Sequence, residues 1–371
     1  MHPLLKVLFV LFVFSLIVAI VGYFILRSPS FGRAPSGERL VRIQNSPNYK
    51  GNQFHNLSKT PAMAPGATMA GAMYKMFFKK SPQIKPKNPF QFTKTDLFSI
   101  PLSENRMVWM GHSSYYLQVD GKRILVDPVF SGHASPFPFS VKAFQGSDLY
   151  QTKDIPALDY LIITHDHWDH LDYKTVKALF NRTQKVITGL GTGEHLEFWG
   201  LEPRKLVELD WYESHELAKG YTVYSEPARH FSGRGLRRNQ ALWSSFLLDF
   251  PTQKVFIGGD SGYGDHFKEI GKRHGSIDLA ILENGQYNED WRYIHFLPGE
   301  NLKAMKELRA KTLVPVHFGK FALALHAWNE PIKKMIELRE PDQTILTPKI
   351  GELLDWSPNE IKPSLWWENL P

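Results

Sequence analysis

The chain has no cysteine. Disulfides and thiolate-held metals are therefore excluded, and any metal has to sit on histidine and carboxylate ligands. It has no G-x-S-x-G elbow, so nothing points to a serine nucleophile on a strand-to-helix turn. It has no low-complexity run and no defensible internal repeat. Acidic residues are in deficit: 37 Asp and Glu stand against 44 Lys and Arg, for a net charge of +7 and a pI of about 9.2. That balance favours an acidic partner: a phosphate-bearing substrate, an anionic membrane surface or nucleic acid. The alternative is a merely basic solvated surface. What remains is ordinary for a globular protein, 43% hydrophobic and 22% charged. A chain of 371 residues can bury a large core in one large domain or two.

The run "VLFVLFVFSLIVAIVGYFIL", Val7 to Leu26, carries no charge. It is long enough to cross the hydrocarbon core as a helix. A cleaved signal peptide has a shorter apolar core and a small-residue cleavage site, and "GYFILRSPS" offers none. Residues 1–27 are expected to be an uncleaved single-pass anchor. Lys6 precedes the span, and Arg27, Arg33, Arg39 and Arg42 follow it. That count points to a cytoplasmic catalytic domain.

Residues 28–104 are expected to form a linker and an N-terminal arm, rich in Pro, Gly, Ser, Asn and Lys with poor hydrophobic periodicity. One piece differs: "MAGAMYKMFFKK", Met69 to Lys80, repeats Met69, Met73, Met76 and Phe77 at helical spacing. It reads as an amphipathic segment that lies at the membrane interface or packs on its own domain. From about 105 the pattern changes. "MVWMGHSSYYLQVDGKRILVDPVF" predicts two strands joined by a turn at Asp120-Gly121. Apolar strands follow in "DYLIITH", "KVITGL", "YTVYSEPARH", "SSFLLDF", "KVFIGGD", "LAILEN" and "TLVPVH". Helices are expected near 172–180, 263–274, 299–310 and 327–338, giving an α/β domain over 105–371 whose sheets are covered by helices.

"THDHWDHLD" packs three histidines and three aspartates into 165–172, directly behind an apolar strand. A loop leaving a strand end can aim His165, His167, Asp169 and His170 into one pocket. Imidazole and carboxylate are the ligands zinc prefers without cysteine. Four residues are too few for two metals with open positions. Three more ionisable residues end apolar strands: His230, Asp260 and His317.

H-x-H-x-D-H followed by His, Asp and His at strand ends resembles the metallo-β-lactamase superfamily. Within it the chain is similar to the N-acyl-phosphatidylethanolamine phospholipase D group and its bacterial relatives. The residues that carry this are "WMGHSSYYLQVDGKRILVDPVFS", "THDHWDHLD", "PARHFSGRG", "FIGGDSGYGDHFKEIGKRHGSIDLAIL" and "PVHFGKFALALHAWNEP", within about 105–350. The resemblance implies an αββα sandwich with two zinc ions in the cleft between the sheets; Mn2+ or Fe2+ stay open. It implies that His165, His167 and His230 hold one metal, that Asp169, His170 and His317 hold the second, and that Asp260 bridges them. Asp127, in "ILVDP", would match a structural aspartate of the superfamily. The N-terminal span departs from the family's general pattern, which leaves the lipid specificity of the animal enzyme open here.

Two adjacent metals lower the pKa of a shared water and clamp a phosphoryl or carbonyl oxygen. Asp169 is expected to orient the attacking hydroxide. His295, in "RYIHFLPGE", is the candidate for contacting the phosphate or protonating the leaving group, against a plain capping role. Arg234, Arg237 and Arg238 are candidates to pair with a phosphodiester, and His112 and Ser113 to line the pocket. His55, His133, His195, His215, His266, His274 and His326 read as surface or packing residues. The leading expectation is a membrane-anchored phospholipid phosphodiesterase. A lactonase or β-lactamase would use the same metals but lack a wide apolar channel beside them. A vestigial binding module would need a lost ligand, and none is missing. No nucleic-acid module is present, and the span argues against a nuclease.

Overall fold

A computed structural model describes residues 3–357 and 363–370. It begins with α1 (Pro3–Leu26), a 24-residue helix with no buried residue and a mean hydropathy of 3.0 over its most apolar window, long and apolar enough to cross a membrane. Next come α2 (Gly37–Gln44), a small hairpin of β1 (Tyr49–Lys50) and β2 (Gln53–Phe54), and α3 (Met69–Phe78).

The first large sheet uses β3 (Arg106–Trp109), β4 (Tyr115–Val119), β5 (Lys122–Val126), β6 (Leu158–Ile163), β7 (Thr183–Gly189) and β8 (Leu206–Leu209). The helices α4 (Tyr173–Leu179) and α5 (Gly193–Phe198) lie between its last three strands in sequence. The second large sheet uses β9 (Ser214–Ala218), β10 (Tyr221–Pro227), β11 (Ser244–Asp249), β12 (Lys254–Ile257), β13 (Ile277–Glu283), β14 (Ala310–Val316) and β15 (Thr344–Ile345). Its crossovers carry α6 (His266–His274), α7 (Glu300–Glu307) and α8 (Glu330–Leu338), and β16 (Leu353–Leu354) returns to the first sheet. The strand orders are 16-3-4-5-6-7-8 and 15-14-13-12-11-10-9. Each sheet is antiparallel at one end and parallel at the other, with β5 to β8 and β12 to β15 parallel.

Side-chain alternation assigns the two faces. Ile124 and Val126 join a core shared with the second sheet, whereas Leu125 packs with Val176 and Leu179 of α4 on the outer face. β6 is buried on both faces apart from Asp159, as a strand between a second sheet and a helix layer must be. This is the expected αββα sandwich. It places the loops at the ends of β6, β10, β12 and β14 near one another.

The Asp120-Gly121 turn joins β4 to β5, with φ of 49° and 74°, the two positive values that a tight hairpin of this twist requires. The stretch before it corrects the expectation of two strands. It forms both β3 and β4, because Gly111 at φ 85° and His112 at φ 52° turn the chain between them.

The segment 28–104 is docked on the sandwich through several contacts. Arg39 of α2 pairs at 2.8 Å with each of Glu194, Glu197 and Glu208. Ile43 and Phe54 are fully buried against Trp211 and Trp243. Asn56 clasps the backbone of residue 230, donating to its carbonyl at 2.8 Å and accepting from its N–H at 3.0 Å.

Candidate metal centre

The loop between β6 and α4 delivers His165, His167, Asp169 and His170. His230 follows β10, Asp260 follows β12 and His317 follows β14 directly. All seven converge. His167 Nδ1 lies 2.9 Å from His165 Nε2 and 3.1 Å from His230 Nε2. On the other side, His170 Nε2 is 3.5 Å from Asp169 Oδ2. Asp260 stands between the two groups. Its Oδ2 faces His165 and His230 at 3.9 and 3.7 Å, and its Oδ1 faces His170 and His317 at 3.2 and 3.1 Å.

Hydrogen bonds behind the rings set these directions. His230 Nδ1 donates to the carbonyl of Ile294 at 2.9 Å. His170 Nδ1 donates to Asp127 at 2.7 Å. The same carboxylate accepts from the Thr164 N–H at 2.8 Å and its hydroxyl at 2.6 Å. Asp127 thus braces the loop without reaching the centre. His112 Nε2 donates to Asp169 at 2.8 Å, and the Ser113 hydroxyl lies 2.9 Å from His317 Nδ1.

Burial, reinforced by the neighbouring imidazoles, pushes His165, His230 and His317 well below the usual histidine range, and burial takes His167 to about 4. These are neutral rings with a lone pair to offer. His170 shifts the other way: burial opposes its charge, but Asp260, Asp169 and Asp127 together raise it well above its usual value. Three carboxylates around one imidazole are surplus negative charge, which a bound cation would neutralise. His170 Nε2 and Asp260 Oδ1 are buried and, although 3.2 Å apart, do not meet in hydrogen-bond geometry, a costly state unless something else engages them. The donor set is all nitrogen and oxygen, with ligand atoms of each group within 4.8 Å of one another. It therefore fits the metals the sequence resemblance implies.

A cavity of about 460 Å3 opens over this cluster. His167, Asp169, His230, Asp260, His295 and His317 reach it, and Met63, Met69, Met73, Met76, Ile294 and Leu323 supply apolar lining. The methionine stripe of α3 therefore faces the cavity. Met69 and Met73 are also half open to solvent, and Tyr74, Phe77 and Phe78 on the same helix are exposed. His295 lies at the cavity with Nδ1 2.5 Å from Glu283.

The remaining candidates divide. Arg238 lines the cavity beside Phe231. Arg237 is exposed in a separate recess. Arg234 is corrected: it is 4% exposed, and its guanidinium is spent on backbone carbonyls away from the cavity. His112 is also corrected, being fully buried behind Asp169 rather than lining the pocket. Glu283 was missed. It ends β13 as a buried carboxylate, and burial holds it well above the usual range although the N–H groups of Phe296 and Ser261 partly offset this. Its signal was the acid closing the apolar run "LAILEN".

Residues 122–318 match the model of the beta-lactamase superfamily domain. An uncharacterized protein of Mycobacterium tuberculosis is 35% identical, over 87% of this chain and 88% of its own. The N-acyl-phosphatidylethanolamine-hydrolyzing phospholipase D 1 of Caenorhabditis elegans is 28% identical, over 67% of this chain and 75% of its own. Among solved structures, the metallo hydrolase Igni18 of Ignicoccus hospitalis superposes with a TM-score of 0.51 at 21% identity, covering 67% of this chain and 97% of that one; this is a likeness of fold. With two sheets of this order and a histidine–aspartate cluster at their ends, the chain belongs to the metallo-β-lactamase superfamily of metal-dependent hydrolases.

Proposed function

We propose that the protein is a membrane-anchored dinuclear zinc phosphodiesterase that cleaves an (N-acyl-)phosphatidylethanolamine-type phospholipid in phospholipase D manner. The observation that carries this reading is the cavity, which joins a histidine–aspartate floor to a methionine wall. A phospholipid needs that pairing, a polar end for the phosphate and an adaptable apolar surface for acyl chains. The basic charge and α1 support delivery to an anionic interface, and the arginines after α1 support a cytoplasmic orientation. The printed activity of the Caenorhabditis elegans relative is consistent with this substrate class.

In this reading His165, His167 and His230 would hold one zinc ion, Asp169, His170 and His317 would hold the other, and Asp260, which lies between the two groups, would be shared. When bound, the pair lowers the pKa of water and neutralises charge on the phosphoryl oxygens. Asp169 is ionised, because His170 and His112 outweigh its burial. Held by His112, it accepts a hydrogen bond from the attacking water and aims it at phosphorus. Attack breaks the phosphorus–oxygen bond to the head group. His295, which burial keeps in its neutral form, gives the departing alkoxide a proton from Nε2 and takes one at Nδ1 from Glu283, whose burial favours the protonated carboxyl. Arg238 pairs with the phosphodiester at the rim, and the α3 methionines offer adaptable apolar contact to the acyl chains.

The test is product analysis by mass spectrometry on zinc-loaded protein given phosphatidylethanolamine and N-acyl-phosphatidylethanolamine in detergent. Phosphatidic acid plus the released head group is expected. No turnover of either lipid, with hydrolysis of a lactone panel instead, would discard the lipid reading and keep the metal reading. Asp260→Ala is expected to lower turnover by about 1,000-fold or more and to lower metal content. Full activity with unchanged metal would sink the dinuclear assignment.

A further inference from the structure

We infer that Arg234 is a positioning residue that makes the segment just after α1, residues 29–33, a working part of the metal-binding loop. The inference rests on the dinuclear reading above and deepens it.

The loop from His165 to Leu171 alternates its duties. Its candidate ligands face the centre, while Asp166 and Trp168 face the opposite way. Arg234 sits behind them. Its Nη1 donates to the carbonyls of Asp166 at 2.8 Å and Leu171 at 2.7 Å, near the two ends of the loop. Its Nε and Nη2 donate to the carbonyl of Ser30 at 3.0 and 2.9 Å. The guanidinium lies 4.0 Å over the Trp168 ring, and Phe31 packs edge-on against the same ring at 5.0 Å. One planar cation thus ties both ends of the loop to the segment after α1. Only arginine has donors enough, in a fixed plane, for this. A buried charge held this way is costly to strand.

The segment has its own anchors on the same side. Pro29 O accepts from Trp199 Nε1 at 2.6 Å. Arg33 N–H donates to His195 Nδ1 at 3.0 Å, and His195 Nε2 lies 3.4 Å from Asp166 Oδ2. Asp166 also accepts from the Gly233 N–H at 2.7 Å. Between these contacts the backbone passes so close to His195 that a Cβ on Gly32 would lie 2.0 Å from Nδ1, and its φ is 72°. Residue 32 therefore has to be glycine for the segment to seat. α1 ends only three residues before Pro29, so the helix is tethered directly to the loop that carries four candidate ligands.

The experiment compares the full-length chain with Arg234→Lys, Arg234→Met and Gly32→Ala in detergent. Two readouts are taken: affinity for zinc by chelator competition, and amide hydrogen exchange of residues 165–171. Each variant is expected to lose about 10- to 100-fold in metal affinity, the usual effect of removing a residue that orients ligands from behind. Loop exchange should rise in both the metal-free and the loaded protein. Arg234→Lys keeps the charge but not the fork, so it should share the defect. Gly32→Ala alters no ligand and no arginine, and it serves if the Arg234 variants fail to fold. Metal affinity and loop exchange equal to wild type in folded variants would overturn the inference and leave the dinuclear reading standing. A wild-type chain that binds no divalent metal would overturn both.

Discussion

His266 shows how a residue outside the candidate ligand set can govern behaviour in acid. It starts α6 with Nε2 3.1 Å from the Ser261 hydroxyl, and burial, with Arg229 adding to it, depresses it to about 3. The folded state therefore prefers the neutral ring. Its contribution is complete above the ordinary imidazole range and is lost as pH falls from there toward about 3. By about pH 5 the loss should approach ~2 kcal/mol. Urea denaturation of wild type and His266→Gln at neutral pH and at about pH 5 checks this. The variant should lose less stability on acidification, and parallel losses would refute the assignment.

At the scale of elements, α3 carries the substrate-side argument. Its methionines line the cavity, and its Lys75 pairs with Asp290 at 2.7 Å to dock it. Shortening Met73 and Met76 to alanine removes adaptable apolar contact but leaves the polar floor intact. A loss of about 1–3 kcal/mol of chain binding is expected. KM for a long-chain phospholipid should rise by roughly 10- to 100-fold, with little change in turnover of a short water-soluble phosphodiester. Equal loss on both substrates would show that α3 supports the fold rather than the acyl chains.

For the whole molecule, the centre couples two sheets that share one core. Its ligand loops leave β6 in one sheet and β10, β12 and β14 in the other. Metal held there binds the folded chain and not the unfolded one. At a free metal concentration ~100 times the dissociation constant, this adds about 2.7 kcal/mol, or roughly 4–5 °C for a domain of this size. Calorimetry before and after chelation should show that drop, reversed by added zinc. An unchanged midpoint would mean that the cluster takes no metal.

The strands that carry candidate ligands were legible because each is a short apolar run with an ionisable residue at its end, a pattern set by neighbours in sequence. β6, β10, β12 and β14 were all expected, and the seven residues named from their ends do meet. α5 and β9 were not expected. α5 is only six residues long, and β9, "SHELA", is mostly exposed and shows no apolar face. The roles of Arg234 and His112 were illegible for another reason. A sequence reports that an arginine follows His230, but not that Ser30, 204 positions away, will take two of its N–H groups. Residue type, spacing and strand periodicity determined the α/β pattern and the ionisable residues at the strand ends; the sandwich and the two-metal assignment were what the motif resemblance implied. Tertiary structure alone decided which charged side chains face the cavity and which are spent bracing it, because burial and hydrogen-bond partners are set by contacts between distant parts of the chain.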